Sequence, residues 1–251
     1  MGFYSSALAA TPLGRPLPGV TTAWSIEVAL ELGYIPHLSA SQRTAGFDKP
    51  EASNLSPVLP RPRISLTLPG GLILDANLLP PVNVVDARAN LYGASLRRSV
   101  NIGAASLSPR VSFLDGRVEG AITCTTELGG GSLSDQQYYA NVCHANESRD
   151  YFEPMQFSLD LTLENGPRFL YGRSYATVGV RMEQTRFDIG VLMSDGSRDL
   201  DHPVLEMDAT RAFGAAGVQW YSGGRGRVAA ELFYSPGSIV TGRLLLAWRL
   251  R

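Results

Sequence analysis

Ile239–Arg251 reads IVTGRLLLAWRLR. Val240, Gly242, Leu244, Leu246, Trp248 and Leu250 share one parity, and Thr241, Arg243, Leu245, Ala247, Arg249 and Arg251 share the other. A β-strand turns successive side chains to opposite faces, so this is a ribbon with a greasy side and an arginine-bearing side. It stands at the end of the chain, where the closing strand of a barrel belongs.

The same alternation recurs throughout. Trp24–Gly33 (WSIEVALELG) sets Trp24, Ile26, Val28, Leu30 and Leu32 against Glu27 and Glu31. Further strands are read at Arg63–Leu68, Leu72–Leu79, Asp86–Arg97, Arg110–Thr123, Met155–Glu164, Arg168–Gly172, Val178–Met193, Leu205–Ala209, Ala215–Tyr221 and Arg227–Tyr234. This makes about twelve strands. Ten is the alternative, because 168–193 and 205–221 can each be divided differently. Pro69-Gly70-Gly71, Asn165-Gly166-Pro167 and Ser222–Gly226 read as turns, and the unpatterned stretches 34–62 and 124–153 as long loops. No helix of normal length is expected. The expected organisation is an N-terminal extension over 1–22, in the periplasm or in a barrel mouth, and a barrel over 23–251.

Charged residues make up 18%, below the roughly 25% of an average soluble domain. The net charge of −1 gives no electrostatic case for nucleic acid. Lys49 is the only lysine among 22 basic residues, a bias that suits hydrogen-bonded networks, where the planar guanidinium outperforms a solvated ammonium. No apolar run is long enough for a transmembrane helix. Cys124 and Cys143 flank a Gly-, Ser- and Asn-rich stretch without metal-ligand spacing, so they read as a disulfide formed in an oxidising compartment. The first residues lack a basic n-region, and the cysteines favour a secretion signal that has been removed.

Alternation alone does not say which face points inward; a soluble barrel or a sandwich gives the same pattern with the faces exchanged. Three features favour polar inside. The polar parity is ionised with both signs mixed, at Glu27, Glu31, Asp75, Arg88, Asp115, Arg117, Glu119, Asp160, Arg181, Glu183, Asp188, Glu231, Arg243 and Arg249. These are the expected lumen-lining residues. Connections alternate in length, with the turns 69–71, 165–167 and 222–226 on one side and the long loops on the other; 98–109 and 194–203 are long for the short-turn side. Trp24, Trp220 and Trp248 all fall at one end of their strands, and Tyr34 and Tyr234 at the opposite ends, as aromatic belts at two membrane interfaces do.

From Trp24 to Arg251 the chain resembles a small bacterial outer-membrane β-barrel of the ten-to-twelve-strand class. The resemblance implies an all-β, closed, antiparallel, up-and-down transmembrane barrel, a lipid bilayer as its partner and the outer membrane as its location. The chain departs from that class in ending Trp248-Arg249-Leu250-Arg251, where such barrels commonly place an aromatic residue.

The chemistry-bearing candidates are few. His37-Leu38-Ser39 has the His-x-Ser spacing of outer-membrane lipid hydrolases, in which an imidazole two residues from a serine takes its hydroxyl proton. His144 neighbours Asp135, Glu147, Asp150 and Glu153 without EF-hand spacing, which reads as a solvated acidic loop, and no metal or cofactor is expected. Three functions follow. The first is a barrel with a charge-networked lumen, acting as a narrow polar channel, a small-ligand transporter or a structural element. The second is a lipid hydrolase using His37 and Ser39, and the third a secreted soluble barrel binding an apolar ligand.

Overall fold

The computed structural model of the chain describes residues 24–36, 58–84, 87–103, 105–169, 172–193, 195, 197, 204–222, 224–237 and 239–250. The expected extension 1–22 lies outside them, as do His37 and Ser39. The strands are β1 (Ser25–Tyr34), β2 (Val58–Thr67), β3 (Leu72–Val84), β4 (Ala87–Arg98), β5 (Val100–Ile102), β6 (Ala105–Gly120), β7 (Asp150–Phe169), β8 (Gly172–Asp188), β9 (Val204–Ser222), β10 (Gly226–Ser235) and β11 (Ile239–Arg249). Two helices, α1 (Thr126–Gly129) and α2 (Leu133–Asn141), lie between β6 and β7.

Neighbours in sequence pair antiparallel, and two further seams close the ring. β1 pairs β11 from Glu27↔Arg249 to Gly33↔Arg243, and β4 pairs β6 from Ala87↔Gly120 to Arg97↔Arg110. The result is a closed antiparallel barrel of ten strands, with β5 as a short continuation of β4 that pairs with the start of β6. Closure leaves the wall without a free edge, the condition that removes unpaired backbone groups from any sheet.

The count is ten because two expected breaks are not breaks. At Asn165-Gly166-Pro167 the ladder to β8 shifts register between Asn165 and Arg168 and then resumes to Phe169↔Gly172. A Gly-Pro step therefore makes a bulge here, and β7 runs on to Phe169 before β8 begins at Gly172. Residues 205–209 and 215–221 belong to one strand, β9, which runs through Gly214. With ten strands, the β8–β9 connection falls at the same end as the β1–β2 connection and residues 121–149. The other end carries the β2–β3, β7–β8 and β9–β10 connections and the β5–β6 hairpin, which takes up most of the 98–109 segment. The two ends are called the long-loop end and the short-turn end below.

The wall is uneven in height and in bonding. β1, β2, β10 and β11 have 10 or 11 residues, whereas β6, β7, β8 and β9 have 16 to 20. The β2–β3 ladder stops at Arg63↔Asn77, although both strands continue toward the long-loop end. Pro60 and Pro62 of β2 stay in register with Leu32 and Leu30 of β1, so their missing donors fall on the β3 side. On β3, Pro80 and Pro81 sit in the register shift between Leu79 and Val82. Four prolines thus explain why this one seam is only half laddered.

Candidate functional site

Burial is inverted relative to a soluble barrel. Arg97, Arg181, Arg227, Glu31 and Glu183 are among the largest fully buried side chains, while Leu232, Leu244, Leu246, Val178 and Trp248 are more than half exposed. Inward residues of every ring strand meet in the lumen, and the charged ones sort into linked groups.

The largest group crosses six strands. Tyr175 of β8 donates its hydroxyl to Glu231 of β10 at 2.9 Å. Arg243 of β11 pairs with Glu231, and it also reaches Glu31 of β1 at 3.5 Å. Glu31 in turn faces Arg61 and Arg63 of β2 at 3.7 and 3.5 Å. The Arg243 guanidinium also lies 4.9 Å from the Phe233 ring centroid. On the opposite wall Asp75 accepts from Ser65, from Ser95 at 2.8 Å and from Arg97 at 3.0 Å. Arg110 grips Asp160 with 2.9 and 3.1 Å contacts from one nitrogen. Glu183 holds Arg181 at 2.7 Å and Arg211 at 3.3 Å. Nearer the short-turn end Arg227 pairs with Glu27 and reaches Gln219 at 3.4 Å.

Among the described residues, and leaving aside Asp150 at the rim, buried arginines and buried carboxylates balance inside the wall. Arg61, Arg63, Arg97, Arg110, Arg181, Arg227 and Arg243 stand with Glu27, Glu31, Asp75, Asp160, Glu164, Glu183 and Glu231. A charge taken out of water is costly unless it is paired and hydrogen-bonded, so near-neutrality is what lets such a lumen exist. Arg97, Arg181 and Arg227 are 1–2% exposed, which means that they fill the lumen instead of lining an aqueous bore.

Five expected lumen residues face the other way. Arg88 and Arg117 are exposed, and Asp115 and Glu119 are half-buried on the outer parity of β6. Their inward neighbours are Ala87, Ala89, Leu91, Leu114 and Val118. Most of these join Leu59, Leu79 and Phe152 in an apolar cluster across the mouth at the long-loop end. Phe213, Phe233 and Ile239 form a second inward cluster, with the two rings stacked at 5.5 Å. Toward this end the polarity of the wall therefore exchanges sides. On the outside, Phe113 of β6 gives way to Asp115 and Arg117, Met155 of β7 to Glu153, Met182 of β8 to Gln184 and Arg186, and Ala212 of β9 to Thr210 and Asp208. The ladder pairs Tyr92↔Asp115, Met155↔Gln184 and Met182↔Thr210 put these changeovers at one height. Arg117 pairs with Glu153 and stacks 4.8 Å from Tyr151, and Tyr92 donates to Asp115 at 2.8 Å, all on the exterior. The fifth is Asp188, half-buried on the outer parity of β8 as the ladder partner of exterior Tyr151, whereas Arg249, half-buried at the short-turn end, keeps the inner parity as the ladder partner of Glu27.

Trp24 and Trp248 are 42% and 53% exposed at the short-turn end, and Trp220, two residues before the end of β9, is half-buried there. Tyr34 and Tyr234 are about half exposed at the opposite end.

Residues 121–149 build a head beyond the mouth. Cys124 and Cys143 form a disulfide with Cα atoms 5.7 Å apart, packed on Val191, Tyr138, Tyr139 and Ile189. Helix α2 starts in a capping box, with Ser132 accepting from the Asp135 amide and the Asp135 carboxylate accepting from the Ser132 amide. That Ser-x-x-Asp spacing was legible in the sequence and marks a helix of normal length among the described residues, against the expectation of none.

Asp150 is the residue that sequence reasoning missed. Expected in a solvated loop, it is fully buried at the start of β7. It accepts from the amides of Ile122 at 2.9 Å, Thr123, and Gly190 at 2.8 Å, and from the Ser148 hydroxyl at 2.7 Å. One carboxylate thereby ties both ends of the head and the 189–193 segment to the rim. Burial, reinforced by the Asp150 charge, pushes the Tyr138 phenol up. Asp135 caps α2 and Glu153 pairs with Arg117, so these acids are spread over different tasks around His144. No family model matches this sequence, and no relative is found among curated proteins.

Proposed function

We propose that this chain is a bacterial outer-membrane barrel that acts as a closed anchor, carrying the disulfide-stapled head on its outer side. The observation that carries the reading is the apolar exterior. Between the short-turn rim and one height on the wall, outward side chains are dominated by Leu, Val, Phe, Met and Ala, and charge begins on the exterior above that height. Water would oppose so large an exposed apolar surface on a soluble protein. A bilayer core needs it, and strands of about 9–11 tilted residues are enough to cross. The shorter strands match that span, and the taller β6–β9 side carries its extra length past the charge boundary.

The balanced, buried arginine–carboxylate lumen and the apolar mouth favour a plug over a pore. In this reading the outward tryptophans and tyrosines sit at the two interfaces, and the lumen charges hold neighbouring strands together.

Reconstitution tests it. The purified protein is expected to need detergent, to insert into phospholipid vesicles with its barrel protected from protease, and to give no conductance steps in planar bilayers. A protein that stays soluble without detergent rejects the membrane reading, and steady conductance rejects the plug.

A further inference from the structure

The closed ring does not reach the full height of β9. The ladder from β9 to β10 ends at Tyr234↔Gly214, whereas the ladder to β8 continues past Phe213 to Asp188↔Val204. Among the described residues, Val204–Thr210 therefore has a neighbouring strand on one side only. Burial agrees. On the inner parity Leu205 is exposed and Met207, Ala209 and Arg211 are half-buried, while Thr185, Glu183 and Arg181, the β8 partners of the last three, are buried.

Backbone groups alternate sides along a strand. The Ala212 carbonyl points away from β8, since it accepts from the Ser235 hydroxyl of β10 at 3.3 Å. The amides and carbonyls of Thr210, Asp208, Glu206 and Val204 therefore point the same way, into the space above the end of β10. Such a row is a template for another strand, and sheets commonly blunt it with proline. The tall part of the wall does so at its other margin: above Asn77, β3 has no ladder to β2 and carries Pro80 and Pro81. No proline interrupts Val204–Ala212.

The edge side chains select the partner. Glu206 and Asp208 share the outer face; Glu206 lies opposite Arg186 on β8, but Asp208 lies opposite Gln184. Antiparallel pairing of two copies about Met207 would set Glu206 of one against Asp208 of the other, and pairing about Asp208 would set that carboxylate against itself. Like charges directly opposite destabilise a sheet. A strand with basic residues on this face and apolar ones beside Leu205 and Met207 meets no such penalty.

We propose that the open edge of β9 binds an extended segment of another protein, in which basic residues alternate with apolar ones, as an added antiparallel strand. The inference goes beyond the anchor reading. The edge begins at Thr210, where the exterior turns polar, so the added strand lies outside the bilayer which that reading requires.

The test uses the full chain in detergent and two fluorescent peptides of about eight residues, one alternating lysine with valine and the other glutamate with valine, read by anisotropy at low salt. The lysine peptide is expected to bind about tenfold more tightly, and to slow hydrogen exchange at the amides of Glu206, Asp208 and Thr210. Thr210→Pro removes one edge donor, keeps both carboxylates and leaves the Met207, Ala209 and Arg211 backbone that bonds β8; it should weaken binding roughly fivefold or more. Glu206→Lys with Asp208→Lys should reverse the preference between the peptides. Heat-modified gel mobility checks that each variant is folded, and if Thr210→Pro is not, the charge reversal still decides. Equal binding of the two peptides, no binding, or binding that leaves the three edge amides unprotected overturns the proposal. So does protection of these amides that rises with protein concentration in the absence of peptide, since a second copy would then occupy the edge. Binding is read in detergent, so a failure of the barrel to insert into vesicles is a separate result and bears only on the anchor reading.

Discussion

The Tyr175 hydroxyl reaches Glu231 by passing over Gly217. Gly217 is the ladder partner of Tyr175 on one side and of Glu231 on the other. A Cβ at 217 would lie 2.5 Å from both Cζ and Oη of Tyr175. The glycine is therefore a slot, and the aromatic ring lies across it to join β8 to β10 over β9.

Tyr175→Phe removes one hydrogen bond to a charged acceptor and is expected to destabilise the barrel by about 1.5–3 kcal/mol. Gly217→Val should cost more, because its side chain takes the ring's place and also meets the Ala230 carbonyl at 2.7 Å. Urea unfolding in vesicles ranks the two, and equal effects would remove the slot argument.

Arg243 is the cation shared by Glu231 and Glu31. Arg243→Met should cost about 3–5 kcal/mol, the penalty of leaving a buried charge without its partner. Adding Glu231→Leu removes the stranded charge and should recover part of the loss. A double-mutant cycle in which the two losses simply add would mean that the contact contributes no coupling.

The head should loosen without the barrel. Reducing Cys124–Cys143 removes a loop constraint worth about 3 kcal/mol in the chain-entropy picture. Asp150→Asn weakens the carboxylate that gathers Ile122, Thr123, Ser148 and Gly190. Both changes should speed tryptic cleavage at Arg149, whose side chain is 66% exposed, while the barrel's heat-modified mobility stays unchanged. Cleavage no faster than in the unaltered protein would count against Asp150 as the tie.

The half-laddered β2–β3 seam should show in hydrogen exchange. Amides between Leu78 and Val84 should exchange faster on average than those of Ile73–Asn77, which are laddered on both sides. Pro62→Thr restores a donor facing β3 and should slow exchange at Leu78 and Leu79. Uniform protection along β3 would show that the seam is bonded in solution.

Much of this was written in local sequence. A two-residue period needs only the strand's own geometry, so the final stretch from Ile239, with Arg243 inside and Leu244 and Leu246 outside, was legible directly. The expected Cys124–Cys143 bridge is present. The end-of-strand placement of the three tryptophans was also readable, because parity and distance from a turn are local quantities.

Tertiary structure decided the rest. Alternation carries no length limit, so only the ladder across β7 and β8 could turn the Gly166-Pro167 step from a reversal into a bulge and reduce twelve strands to ten. The sidedness of Asp115, Arg117 and Glu119 depended on height. The same polar parity faces outward where the inside of the wall is apolar, and a period of two is silent about height. Asp150 reaches Ile122 across 28 positions and Tyr175 reaches Glu231 across 56, and no local pattern encodes which donors a closed wall will bring to a carboxylate.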